Sequence, residues 1–184
     1  MGVLERVDHT GRGIKVLTGG GAEHSPACLP NGKVWFFSAG EAKPQIMRCD
    51  DLGCRRLLER AAWGLSVSPD GTRLAFMTLE KQGPIVEWIN VEGGEIHPVA
   101  ETETGCAAGW ASPQTLWVSR RRDGKIVWTE VDADSGVETG RTVPGIRDCS
   151  TGESDPASPV NPDLPVIVSR RSQLRLVGNE HLRR

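Results

Sequence analysis

Leu65-Ser-Val-Ser-Pro-Asp-Gly-Thr-Arg-Leu-Ala-Phe-Met-Thr78 is the stretch that decides the fold, because it joins a tight turn to a short strand. Pro69 fixes φ near about −65°, Asp70 can hydrogen-bond its own backbone, and Gly71 can take a positive φ. Residues 73–77 then form a short apolar run, which predicts a strand. Weaker copies of this unit recur along the chain, which indicates a repeat architecture.

Four copies of the unit align on their prolines. Their sequences are Pro30-Asn-Gly-Lys-Val-Trp-Phe-Phe37, Pro69-Asp-Gly-Thr-Arg-Leu-Ala-Phe76, Ser112-Pro-Gln-Thr-Leu-Trp-Val-Ser119 and Asn161-Pro-Asp-Leu-Pro-Val-Ile-Val-Ser169. The prolines at 30, 69, 113 and 162 are separated by steps of 39, 44 and 49 residues. Steps of this size match one four-stranded propeller blade.

The segments between the prolines also predict strands joined by turns. In residues 127–131, Val127, Thr129 and Val131 alternate with Trp128 and Glu130, which is the period of a strand. We therefore expect an all-β chain that forms one β-propeller domain over residues 1–184. Its expected parts are the end of a partial blade at 1–24, blades at 25–62, 63–105 and 106–147, and a loop plus partial blade at 148–184.

The composition sets the class of partner. The 184 residues carry 22 basic and 24 acidic side chains, for a formal net charge of −2, so nucleic acid is not expected as a partner. No run of about 18 apolar residues predicts a transmembrane segment. The N-terminal sequence lacks the basic and apolar regions of a secretory signal.

The cysteines predict disulfides. Cys49 and Cys54 are placed to close a small hairpin, and Cys106 and Cys149 flank one repeat and can join its ends, with Cys28 left over. The alternative is that all five thiols are reduced and packed. Zinc is disfavoured because no C-x2-C pair occurs. The paired interpretation implies an oxidising compartment.

Ser66-Val-Ser-Pro-Asp-Gly-Thr-Arg-Leu-Ala-Phe76 resembles the signature of the TolB-like, or WD40-like (PD40), β-propeller repeats. The first repeat has Asn31 for the aspartate, and the third and fourth lack the glycine. The resemblance covers about residues 25–177 and implies four-stranded antiparallel blades arranged in a ring. It also implies a periplasmic or extracellular protein that binds proteins or peptides, or the gating half of a serine peptidase.

About four units predict either a small closed propeller or an incomplete one that is a fragment of a larger ring, since propellers close with about four to eight blades. The chain begins within a blade, which favours the fragment or strand exchange between the two ends. An unclosed array would expose sheet edges, so self-association is expected.

No catalytic, cofactor-binding or metal-binding residue is predicted. No G-x-S-x-G elbow and no G-x4-G-K-[ST] loop occurs. The run from Asp132 to Glu138 resembles the start of a calcium loop but lacks its full pattern, and it also suits a hairpin turn. The resemblance to TolB-like repeats then implies a non-enzymatic binding module of a larger receptor or sensor.

Two basic runs are the candidate contact tips for a partner. They are Arg120, Arg121 and Arg122, and Arg170 and Arg171, each after the end of a predicted strand. Trp117 and Trp128 lie near the first run and could stack bases, although exposed hairpin tips explain the arginines better. Trp63 and Trp110 are predicted to precede the first strand of a repeat. All six tryptophans suit packing between blades.

Overall fold

The computed structural model describes residues 4–7, 15–16, 23–40, 43–103, 108–144 and 166–169, with only the backbone of 4–7, 15–16, 144 and 166–169. Within these ranges the chain forms fifteen strands and no helix. The strands form four sheets, and every neighbouring pair is antiparallel. The predicted all-β class is confirmed.

Three of the sheets have four strands, and in each the strands are neighbours in chain order. Sheet 1 contains β3 (His24–Cys28), β4 (Trp35–Ala39), β5 (Gln45–Asp50) and β6 (Gly53–Leu58). Sheet 2 contains β7 (Trp63–Val67), β8 (Arg73–Glu80), β9 (Gly83–Asn90) and β10 (His97–Glu101). Sheet 3 contains β11 (Gly109–Trp110), β12 (Thr115–Arg122), β13 (Lys125–Asp132) and β14 (Glu138–Pro144).

Sheet 4 joins the first described strand to the last. Its order is β15 (Val166–Ser169), β1 (Leu4–Val7) and β2 (Lys15–Val16). Leu4 lies opposite Ser169, and Val7 lies opposite Val166. The backbone therefore has the strand exchange that was one of the two alternatives for a chain beginning within a blade.

The turn at Pro69 has the geometry that its residues predict. Ser68 Oγ donates to Asp70 Oδ1 at 2.6 Å, and the amide of Thr72 donates to the same oxygen at 3.2 Å. Gly71 has φ +73° and its amide donates to Ser68 O at 2.8 Å. An aspartate followed by a residue that accepts positive φ thus closes the corner.

The hydrophobic core lies between sheets, because successive residues of a strand face opposite sides. In β8, Leu74 and Phe76 pack in the cluster shared with sheet 1, whereas Ala75 and Met77 pack in the cluster shared with sheet 3. Phe76 is completely buried, so its truncation to alanine would cost about 3–5 kcal/mol. Sheet 2 is therefore covered on both faces, as a propeller blade is.

The placement of two tryptophans was predicted wrongly. Trp63 lies in β7 opposite Met77, and Trp110 lies in β11 opposite Leu116, so both are inside the first strands of their sheets. Trp110 is held in β11 by a hydrogen bond to the neighbouring sheet. Its indole Nε1 donates to Ser66 O at 2.9 Å, which holds sheet 3 against sheet 2.

Candidate interaction surface

The turns of the three four-stranded sheets lie on two opposite sides of the array, because neighbouring strands run in opposite directions. We call the side with the turns between second and third strands, which include 81–82 and 123–124, the tip face. We call the side with the proline turns, and with the turns between third and fourth strands, the corner face. Ion pairs occur on both faces.

The tip face carries both an exposed apolar side chain and basic ones. Leu79 is 69% exposed and precedes the β8–β9 turn, where it lies opposite Pro84. Arg121 lies opposite Ile126 at the equivalent place before the β12–β13 turn of the next sheet. Sequence reasoning found the arginines but missed Leu79. A lone leucine followed by Glu80 and Lys81 at a hairpin tip was the available signal.

The first basic run forms the last three residues of β12, whereas the prediction placed it after the end of the strand. Each of its arginines has an acidic neighbour. Arg120 Nε lies 4.0 Å from Glu138, Arg121 lies 3.5 Å from Glu103, and Arg122 lies 2.6 Å from Glu138. The side chains of Arg121 and Arg122 are nevertheless about half exposed, at 55% and 49%. Exposed pairs of this kind contribute little to stability, so the arginines can exchange partners at low cost. Arg170 and Arg171 lie outside the described residues.

The charges of the corner face link one sheet to the next. Arg48 and Arg55 of sheet 1 lie 2.9 and 3.1 Å from Glu92, which follows β9 of sheet 2. Arg73 of sheet 2 lies 3.0 Å from Asp134 in the β13–β14 turn of sheet 3. The corner face therefore uses its charged groups within the molecule.

Trp88 is the centre of the contact between sheets 2 and 3. Its indole Nε1 donates to Ala133 O at 2.9 Å, and its ring stacks on His97 with centroids 4.0 Å apart. The guanidinium of Arg73 lies 4.3 Å from the ring centroid. Trp88 is thus held by neighbours on both faces, as the prediction of packing between blades requires.

Three corner-face aspartates have lowered pKa values. The hydrogen bond from Ser68 chiefly lowers the pKa of Asp70, the amide of Leu52 chiefly lowers the pKa of Asp50, and Ser135 chiefly lowers the pKa of Asp132. Each carboxylate accepts donors from its own turn, and these bonds favour its charged form. The corner face therefore contains turn-forming carboxylates that stay ionised to low pH.

The run from Asp132 to Glu138, which resembles the start of a calcium loop in sequence, forms a hairpin turn. Asp132 Oδ1 accepts from the Ser135 amide at 2.8 Å and from Ser135 Oγ at 2.7 Å, and the turn joins β13 to β14. In the part of the chain that the structure describes, no group of three or more potential metal ligands comes together. The geometry of this run is that of the hairpin alternative.

A disulfide joins Cys49 and Cys54 across the β5–β6 hairpin, where the two residues lie opposite each other. Leu52, at the tip of this hairpin, is 99% exposed. Cys28 packs against the cluster formed by Trp35, Phe37 and Cys49. The other predicted pair, Cys106 and Cys149, lies outside the described residues.

Sequence reasoning also missed two buried carboxylates. Glu87 is 5% exposed, accepts from Thr78 Oγ1 at 2.7 Å and lies 3.0 Å from Arg60. Glu130 is 4% exposed and lies 3.1 Å from Arg141. Both acids occupy strand positions among apolar neighbours, which was the signal for burial. Each has a cationic partner, and this arrangement is what a structural carboxylate needs.

The described ranges contain no helix long and apolar enough to cross a membrane. No protein-family model matches the chain, and no curated protein matches its sequence.

Solved structures match its fold. TolB from Acinetobacter baumannii superposes with a TM-score of 0.62 at 14% identity, over 74% of this chain and 40% of that one. The β-propeller domain of the trilobed protease from Pyrococcus furiosus, described as having an open velcro topology, gives 0.56 at 18% identity, over 69% and 43%. A chain from the nidogen/laminin complex gives 0.54 at 12% identity, over 77% and 61%.

The chain therefore spans about two fifths of the length of the first two of these proteins. At identities of this level the likeness concerns the fold alone. The four-stranded meanders, their face-to-face packing and these neighbours agree with one another. The chain has the all-β propeller fold, and its sheets fit a TolB-like propeller that is incomplete.

Proposed function

We propose that the chain is a non-catalytic propeller module that binds a protein or peptide through its tip face. The observation that carries the proposal is that the exposed Leu79 and the half-exposed Arg121 and Arg122 lie at the hairpin tips of neighbouring sheets. An exposed apolar anchor and exposed arginines on one face suit an acidic peptide with a large apolar side chain, and arginine is enriched among residues that dominate interfaces.

The exposure of the tip-face arginines supports this choice. On the corner face the arginines span sheets and fix the array, so moving them would loosen the fold. On the tip face Arg121 pairs with Glu103, which follows β10, and Arg122 pairs with Glu138 of β14, and both arginines stay about half exposed. A peptide carboxylate can replace such a partner with little loss, because an exposed pair is worth about 0–1 kcal/mol.

The test is selection from a phage-displayed random peptide library on the immobilised chain, followed by fluorescence anisotropy with the enriched synthetic peptides. We expect acidic peptides with an aromatic or leucine anchor. Leu79→Glu is expected to weaken their binding about tenfold or more, which corresponds to about 1.4 kcal/mol. Arg121→Glu should weaken it and reduce its salt dependence.

Leu52→Glu is the matched control, because it makes the same change at an exposed hairpin leucine of the corner face. It should leave the affinity unchanged. The proposal fails if no peptide is enriched, or if Leu52→Glu and Leu79→Glu weaken binding equally.

A second candidate function is the propeller half of a serine peptidase or related hydrolase. It is supported by the protease propeller domain among the solved structures. In that case the tip or corner face would screen peptides before they reach a separate catalytic domain. An α/β-hydrolase sequence in the same reading frame would favour this alternative, whereas a kinase or transmembrane sequence would favour a receptor.

We further propose that the protein acts outside the cytoplasm. The disulfide between Cys49 and Cys54 supports this placement, since such bonds persist in oxidising compartments. Mass spectrometry of protein alkylated within its native cells is the test. Free, alkylated thiols at both positions would overturn the placement.

A further inference from the structure

Arg60 joins a buried acid to an exposed one. It lies between β6 and β7, in a connection on the tip face, because β6 begins at its corner-face turn and runs to the other side. Its Nη1 donates to Glu87 Oε1 at 3.0 Å, and its Nη2 donates to Glu80 Oε1. Glu87 is buried, whereas the side chain of Glu80 is 46% exposed. One guanidinium therefore has a buried partner and a partner in contact with solvent.

The buried partner holds the guanidinium in place. The other carboxylate oxygen of Glu87 accepts from Thr78 Oγ1 at 2.7 Å, and Thr78 is itself buried. Loss of Arg60 would leave Glu87 as a buried charge without a cation, which is costly, so this side of the arrangement stays formed. Arg60 thus presents Nη2 from a fixed position.

The partner on the solvent side can be exchanged. Glu80 is the last residue of β8 and lies opposite Gly83 across the hairpin turn. An exposed ion pair contributes little, because its charges are hydrated and screened by salt. The guanidinium group also matches the planar geometry of any carboxylate. Leu79, the exposed apolar residue of the tip face, directly precedes Glu80, so a peptide that contacts Leu79 passes within reach of Arg60.

We propose that Arg60 binds a carboxylate of the peptide, and that Glu80 occupies this site in the free protein and competes with the ligand. The site rests on the proposed function, which supplies the acidic peptide. Sheet 2 packs between sheets 1 and 3, so Arg60 lies on the sheet 1 side of Leu79, and Arg121 lies on the sheet 3 side. Acidic groups on both sides of an apolar anchor would then each meet an arginine.

The test compares two glutamate-to-glutamine variants by fluorescence anisotropy with the selected peptides. Glu80→Gln removes the competing charge and should tighten binding about fivefold, which corresponds to about 1 kcal/mol, the upper value for an exposed pair. Glu59→Gln is the matched control, because Glu59 lies in the same connection as Arg60, is exposed and pairs with Arg56. Both variants change the net charge equally, so tightening confined to Glu80→Gln supports the site. Equal affinities of the two variants overturn it.

A paired substitution tests whether Arg60 carries the effect. Arg60→Met together with Glu87→Gln removes both charges of the buried pair and leaves no buried carboxylate without a cation. Circular dichroism melting checks that this protein folds. In this background Glu80→Gln should no longer tighten binding, and a gain that persists without Arg60 would overturn the proposal.

Acetate is a probe that needs no selected peptide. Nitrogen-15 NMR of the arginine Nε–H groups follows Arg60 while acetate replaces chloride at constant ionic strength. The Arg60 signal should move at lower acetate concentration in Glu80→Gln than in Glu59→Gln. If it does so but no peptide is enriched, the carboxylate site stands and the proposed function fails. If peptides bind but neither their affinity nor the acetate titration distinguishes the two variants, the site fails and the proposed function stands.

Discussion

Substitution of Gly136 by alanine tests the packing of sheet 3 on sheet 2. Gly136 lies in the β13–β14 turn with φ +69°, and a Cβ placed on it would lie 2.3 Å from the carbonyl oxygen of Val99 in β10. Real Cβ atoms do not approach an oxygen this closely. The turn and β10 would therefore have to separate, and the sheets with them.

Two costs combine to give the expected magnitude. An L-residue at positive φ costs about 1–2 kcal/mol. Forcing a methyl group into filled space costs about 1–3 kcal/mol more, because the displaced atoms are backbone. We expect Gly136→Ala to lower the free energy of unfolding by about 2–5 kcal/mol. Each kcal/mol should lower Tm by about 2–4 °C.

Gly124→Ala separates the two costs. Gly124 lies in the β12–β13 turn of the same sheet with φ +74°, but a Cβ there would have no atom within 4 Å. This variant should lose only the conformational part, about 1–2 kcal/mol. Urea unfolding followed by tryptophan fluorescence measures both variants, and unchanged m-values would confirm that the same surface is exposed. Equal losses in the two variants would refute the close approach of Gly136 to Val99.

Three further predictions concern single side chains. Trp88→Phe removes the donor to Ala133 O and leaves a buried carbonyl without it, so urea unfolding should show a loss of about 1–3 kcal/mol. The pKa of Asp70 is lower folded than unfolded, so its contribution is present above the unfolded pKa and is lost as pH falls through the folded one. Asp70→Asn should therefore flatten the acid side of a stability–pH profile, and an unchanged slope would contradict this. Reduction of the Cys49–Cys54 disulfide, which closes a short loop with a sequence separation of 5, should lower the free energy of unfolding by about 2 kcal/mol, and Cys54→Ser should reproduce the loss without reductant.

The local parts of the fold were predictable because each depends on neighbouring residues. Asp70 and Gly71 specify their turn by hydrogen bonding and by φ, and the proline spacing specifies the repeat. The alternation around Thr129 indicated a strand with two different faces. These effects act within one unit of the repeat, so the sequence carries them directly.

The long-range contacts were not predictable in the same way. The pairs Arg73–Asp134 and Trp88–Ala133 join residues 61 and 45 positions apart, and their distances depend on how two sheets meet. The sequence likewise did not indicate that the first basic run has an acidic partner, although Glu138 lies beside two of its arginines. Side-chain pairing between sheets is a property of packing, which a repeat pattern does not specify.

The seam between β1 and β15 has a consequence for biosynthesis. Leu4 and Ser169, which pair there, are 165 positions apart, whereas sheets 1 to 3 consist of short hairpins. At about 5–20 residues per second, the ribosome needs about 10–30 s to bring the second strand out after the first. During that interval the nascent chain presents an unsatisfied backbone edge at β1, which is the place where a chaperone, or a neighbouring nascent chain on the same messenger, would engage it.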